Sequence, residues 1–261
     1  TIIKDGNLPA YDSLSYSGRT LSYQQGNTVL LAAVSKLANL STTNVNYILP
    51  IILGLISLLS FYKLAYSLLS NKIAANLAAL FLASSPGYLY LFSSINNHLV
   101  PITLTIAGLA FILYKKYLPA FVVLVLLPFF STAYTLISFF FLTINLMISH
   151  GNKKFFFSVL SIDIILLFLL NLPVINAYGL PSLLDFRVQE YGINFAFQNF
   201  IAEFGGNFGI SLFSLILSIS GLAYLWKKKS QHANIFLVLL FFIILSIYFT
   251  WPVIGLSFIL S

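Results

Sequence analysis

Long apolar runs separated by short polar breaks dominate this chain. They fall at 45–69, 73–92, 99–114, 118–130, 132–149, 155–175, 208–226 and 234–251. A bilayer needs about 20 apolar residues per crossing and leaves no backbone polar group unpaired, so each run predicts a membrane helix. The number of spans is about seven, or eight if the short runs LPAFVVLVLLPFF and TAYTLISFFFLTINLMIS, joined through Ser131, count separately. Those two runs are either thin spans or one broken re-entrant pair. Ahead of them, LLAAVSKLANL from Leu30 to Leu40 carries apolar residues at helical spacing interrupted by Lys36. That pattern predicts an amphipathic helix lying in the membrane interface.

Composition agrees with this picture. Hydrophobic residues make up 59% of the 261 and charged residues only 7%, against about 25% charged in a soluble domain. The net charge of +7 does not point to nucleic acid, because the basic residues sit in pairs and triplets between apolar runs, where they set topology. Absence of cysteine excludes disulfides, thiolate nucleophiles and Cys-ligated metal centres. Residue 1 is Thr and the last apolar run, VIGLSFILS, is short for a crossing, so the sequence reads as a fragment of a larger polytopic protein. The opening residues lack the basic and apolar regions of a signal peptide.

If the spans alternate, Lys63, Lys72, Lys115, Lys116, Lys153, Lys154 and Lys227 to Lys229 all share one side, which the positive-inside rule makes cytoplasmic. The opposite side receives residues 1–44, the tight turn from Ser93 to His98 and the loop 176–207, with Asp5, Asp12, Asp185, Glu190 and Glu203. The expected organisation is an all-α polytopic transmembrane helical bundle. Residues 1–44 form an extracytoplasmic loop with the interfacial helix, 45–175 transmembrane helices, 176–207 a second extracytoplasmic loop, and 208–261 further transmembrane helices.

The segment Tyr11-Asp12-Ser13-Leu14-Ser15-Tyr16-Ser17-Gly18-Arg19, followed by Tyr23 and Gly26, resembles the first external loop of GT-C glycosyltransferases, in particular archaeal relatives of the oligosaccharyltransferase catalytic subunit. AANLAALFLASSPGYL is similar to a family helix ending in Ser-Pro at the outer face, and EFGGNFGISLFSLILSISGLAYLWKKK to a late loop-to-helix segment. The resemblance implies a GT-C-like bundle that transfers a sugar or oligosaccharide from a polyprenyl-phosphate carrier to a protein or glycan acceptor at the extracytoplasmic face. It also implies a multi-pass protein among the lipids of a prokaryotic plasma membrane, with no nucleic-acid partner. Asp12 and Glu203 are the implied catalytic carboxylates; with His98 they are the implied ligands of a divalent cation, Mg or Mn. Tyr16, Arg19, Tyr23, His98 and Arg187 are the implied substrate-binding residues, all expected to face one outward cleft. Glu203 matches the Ile and Glu of a Thr-Ile-x-Glu family loop motif through Ile201 and lacks its Thr.

Each residue also has a plainer role. Asp12 suits an Asx-turn in a Ser-rich loop, Arg19 an interfacial salt bridge with Asp12 or Asp5, Glu203 a helix cap before Gly205 and Gly206, and His98 a neutral surface imidazole. The chain also departs from the family: its first catalytic Asp would precede residue 1, and Ser93 to His98, where a second acidic motif is expected, holds no carboxylate. A non-catalytic paralogue therefore stays open. A transporter or flippase-like protein is the other alternative, with Asp163 in SVLSIDIILLFLLNLP and the 118–149 pair forming a pathway. For Asp163 the favoured expectation is a carboxylate snorkelling toward the cytoplasmic edge near Lys153 and Lys154.

Overall fold

The computed structural model describes residues 26–148 and 153–178, together with Ser220 and Ala223. Within them the chain is helical, in the order α1 (Gly26–Ala38), α2 (Thr42–Leu69), α3 (Lys72–Ser84), α4 (Pro86–Leu91), α5 (Leu99–Leu113), α6 (Tyr117–Val125), α7 (Leu127–Phe130), α8 (Thr132–Ile148) and α9 (Lys153–Tyr178). No strand occurs among the described residues. Among the described residues two helices are long and apolar enough to cross a membrane, Thr42–Leu69 and the Lys153–Leu172 part of α9. The 28 residues of α2 extend over about 42 Å at a rise of about 1.5 Å per residue.

Local chemistry places the helix ends. Asn39, Ser70 and Lys115 have positive φ, at 53°, 53° and 56°, and each stands just past a helix end in the left-handed conformation that stops the ladder. Asn71 starts α3: its backbone is extended and its side chain accepts from the N–H of Ile73 and Ala74. At the Ser85-Pro86 junction, Ser85 closes α3 and opens α4, accepting from the N–H of Tyr88 at 3.3 Å. Pro86 suits the first turn of α4 because no intrahelical donor is needed there. The apolar run 73–92 is therefore two helices. Another interruption follows α6 at Leu126, two residues before Pro128, which has no N–H to continue the ladder.

The chain divides into two compact units, and the boundary falls within α2. One comprises Thr1–Gly54 and Ser94–Asp185, the other Leu55–Ser93 and Phe186–Ser261. In the first unit α5 is the central helix, buried at Leu99, Val100, Ile102, Ile106 and Ala110 among others and packed on α6, α7 and α8. Gly108 lets α6 come close, since a Cβ there would lie 2.5 Å from Leu124 Cδ2. Small residues at helix crossings serve this purpose. In the second unit Ala75, Leu82, Tyr88, Leu91 and Phe92 are buried, with the Tyr88 and Phe92 rings 4.6 Å apart.

Polarity is distributed inside out. Large apolar side chains are exposed along α2 (Ile51, Leu55, Leu59), α3 (Ile73, Leu80) and α9 (Phe157, Ile165, Phe168). Buried positions include Ser57, Thr103, Ser131, Thr135, Ser138, Asp163 and Asn171. On α9 the inward face is Phe155, Phe156, Val159, Leu160 and Asp163, a stripe at helical spacing. Asp163 is 0% exposed, so the expected snorkelling does not occur. Ten residues separate it from Lys153, about 15 Å along the helix, and its place on the inward stripe turns the carboxylate into the bundle.

Candidate functional site

Three pieces of chain meet at one end of the first unit: the start of α1, the turn before α5, and the corner between α7 and α8. Their approach requires Gly26, because a Cβ there would overlap the backbone oxygen of Phe129 and lie 2.9 Å from a ring carbon of Phe130. Next to it, Asn27 is buried and donates through Nδ2 to the backbone oxygen of Asn97 at 3.2 Å. Its Oδ1 is buried with no hydrogen-bond partner among the described residues.

The turn is built by Asn96. Its Oδ1 accepts from the N–H of His98 and of Leu99, both at 3.0 Å, so Asn96 caps α5 while the His98 side chain makes no cap bond. The His98 ring is left to lie 5.9 Å from the ring of Tyr134. Burial holds the His98 imidazole below its usual value of 6.5, because a charged ring is poorly solvated there. Ser131 breaks the helix before α8, with extended backbone at φ −163°, and its Oγ accepts from the N–H of Tyr134 at 3.4 Å. Two amides, an imidazole, a phenol and a hydroxyl thus gather at the end of α5 remote from Lys115 and Lys116. The 15 residues of α5 separate the two ends by about 22 Å.

These groups suit recognition of a polyhydroxylated or phosphorylated ligand: amide and hydroxyl oxygens accept, N–H groups donate, and aromatic rings cover apolar ring faces. Of the residues nominated from sequence, His98 is present in this cluster. Asp12, Tyr16, Arg19, Tyr23, Arg187 and Glu203 lie outside the described residues, as does the loop 179–207. Sequence reasoning missed Asn27, Asn96 and Tyr134. Asn27 stands at the head of an apolar run and reads as an ordinary helix-start residue, and no periodicity links it to a position 70 residues away.

The described part of this end does not by itself make a divalent-cation site. It offers one imidazole and one unpartnered amide oxygen, and no group of three His, Cys, Asp or Glu forms among the described residues. Hard divalent ions are held mainly by carboxylate oxygens, so the negative charge would have to come from carboxylates outside the described residues, Asp12 and Glu203 in the sequence expectation. Comparison of the chain with protein-family models, with curated proteins and with solved structures finds no match.

Proposed function

We propose that the chain is part of a multi-pass membrane glycosyltransferase of the GT-C type, which takes a sugar or oligosaccharide from a polyprenyl-phosphate-linked donor at the extracytoplasmic face of a prokaryotic plasma membrane. The observation that carries this reading is the cluster of Asn27, Asn96, His98, Ser131 and Tyr134 at the end of the bundle away from Lys115 and Lys116. By the positive-inside rule the lysine end is cytoplasmic, so the cluster belongs at the outer interface, where the headgroup of a lipid-linked sugar lies. The apolar exterior of α2, α3 and α9 supports a lipid surround, since exposed apolar surface of that extent is unfavourable in water. The resemblance of the Tyr11 to Arg19 segment supplies the activity.

In this reading Asn27 and His98 bind donor sugar or phosphate, Arg19 clamps phosphate, and Asp12 and Glu203 supply the charge for Mg or Mn. The cation would stabilise the leaving phosphate. Replacement of Asn27 or His98 by Ala should each reduce transfer about fivefold, the worth of one hydrogen bond of about 1 kcal/mol. Measured in membranes with a polyprenyl-phosphate-linked sugar, the loss should appear chiefly in KM. Unchanged kinetics in both variants would remove the cluster from the site.

One observation favours the transporter reading instead: the buried Asp163 inside the bundle. Intramembrane carboxylates that face a bundle interior commonly mark ion or proton pathways. Absence of sugar transfer by the wild type, together with ion flux in liposomes that Asp163→Asn abolishes, would shift the assignment to that reading.

A further inference from the structure

Three features of the first unit fall at the depth of Asp163 in the bundle. Its two carboxylate oxygens are buried without a hydrogen-bond partner among the described residues, and so is the hydroxyl of Ser138. Ser138, 2% exposed, lies on α8, which packs against α9. The two helices form a hairpin whose facing ends are Ile148 and Lys153. Each residue is ten positions from its end, about 15 Å, so the carboxylate and the hydroxyl share one depth. The third feature is the break after α6. The rings of Tyr117 and Phe155 lie 4.9 Å apart, which sets the starts of α6 and α9 level. Eight residues beyond each, Asp163 stands level with Val125, beside the interruption at Leu126. There Phe129 N–H bonds to the oxygen of Leu126, three residues back rather than four, and the regular ladder is lost.

We infer that Asp163, Ser138 and the backbone at the Leu126 break bind one monovalent metal cation, Na⁺, inside the first unit. Charge balance calls for a cation. No Lys, Arg or His occurs within α5, α6, α7 or α8, and the basic residues of α9, Lys153 and Lys154, are in its first turn. A single carboxylate matches a single positive charge, whereas a divalent ion would leave a net charge in an apolar interior. A metal cation also fits better than a proton. Among the described residues three oxygens lack partners, and a proton shared between carboxyl and hydroxyl joins two of them, while a cation accepts lone pairs from all three. Interrupted helices at mid-depth are the usual source of the remaining carbonyl ligands in ion sites of membrane proteins. The site is distinct from the polar cluster at the bundle end and stands independently of sugar transfer.

The test uses the full chain in liposomes at fixed pH, with Na⁺ or choline as the only monovalent cation. A hydrophobic carbodiimide, which reacts with carboxyl groups in apolar surroundings, reports on Asp163 by peptide mass spectrometry. Na⁺ should slow labelling about tenfold, and Ser138→Ala should raise the Na⁺ needed for that protection about tenfold. The melting temperature should be higher in Na⁺ than in choline, because a ligand bound to the folded state stabilises it. Asp163→Asn should melt alike in both salts. Equal labelling rates in the two salts, labelling that follows pH but not Na⁺, or a wild-type melting temperature that Na⁺ does not move overturns the site.

Discussion

His98 shows how one residue's surroundings set its chemistry. Because Asn96 caps α5, the imidazole is free of that task and lies partly buried against Tyr134, and its neutral form is favoured. The unfolded chain binds a proton on this ring more readily than the folded one, so stability is complete above the ordinary imidazole value and falls as pH drops through it. Between about pH 7.5 and pH 5.5, on either side of that value, the melting temperature of the wild type should therefore fall more than that of His98→Asn. An equal fall in both proteins would show that the ring titrates normally. His98 was named from sequence because it stands where the family resemblance expects a second acidic motif, but its neighbours were not. The burial of Asp163 was hidden for a related reason: α9 is apolar on every face, so periodicity does not reveal which side turns inward. In such a helix the polar residue itself marks the inward face, a rule that would have argued against snorkelling.

Helix packing depends on close approaches that only small residues permit. Gly108→Ala would place a Cβ 2.5 Å from Leu124 Cδ2 and 2.9 Å from its Cγ, and Leu124 is fully buried. Destabilisation of about 1–3 kcal/mol is expected. Leu124→Ala alone should cost about 2–5 kcal/mol, and the double variant should be more stable than the sum of the two losses predicts, because the shortened side chain removes the clash. Unfolding in detergent measures all three; strict additivity would mean that the two residues do not press on each other. Among the described residues the helices follow the expected apolar runs, but only two of them are long enough to cross a membrane, and the runs expected at 208–226 and 234–251 lie outside the described residues. The expected runs 99–114 and 132–149 correspond to Leu99–Leu113 and Thr132–Ile148, since polar punctuation coincides with helix ends. Runs 73–92 and 118–130 each proved to be two helices. Both breaks carry a visible cause, Pro86 after Ser85 and Pro128 after Leu126, which uninterrupted hydrophobicity masks. The helix expected at Leu30 to Leu40 begins earlier, at Gly26, where the close approach to Phe129 holds it.

At the scale of the molecule, the proposed sugar transfer at the outer face requires the sidedness that the lysine pattern predicts. With no native cysteine, single cysteines can report it: at Ser17 and Asn194 they should react with a membrane-impermeant thiol reagent in intact cells, and at Ser230 they should not. The reverse pattern would place the Asn27–His98 cluster on the cytoplasmic side and end the proposal. The most direct test is sugar transfer itself, measured in the full-length protein with a polyprenyl-phosphate-linked donor. Asp12→Asn and Glu203→Gln preserve side-chain size while removing charge, and each should lower transfer about tenfold or more, as expected for weakened metal ligation. Added Mg²⁺ or Mn²⁺ should partly restore both, because a weaker site fills at higher ion concentration. Asp163→Asn, altered about one to two helical turns below Tyr134 and Ser131 and outside the polar cluster, should transfer nearly as well as the wild type. Wild-type transfer by both outer variants, together with a severe defect in Asp163→Asn, would contradict the account.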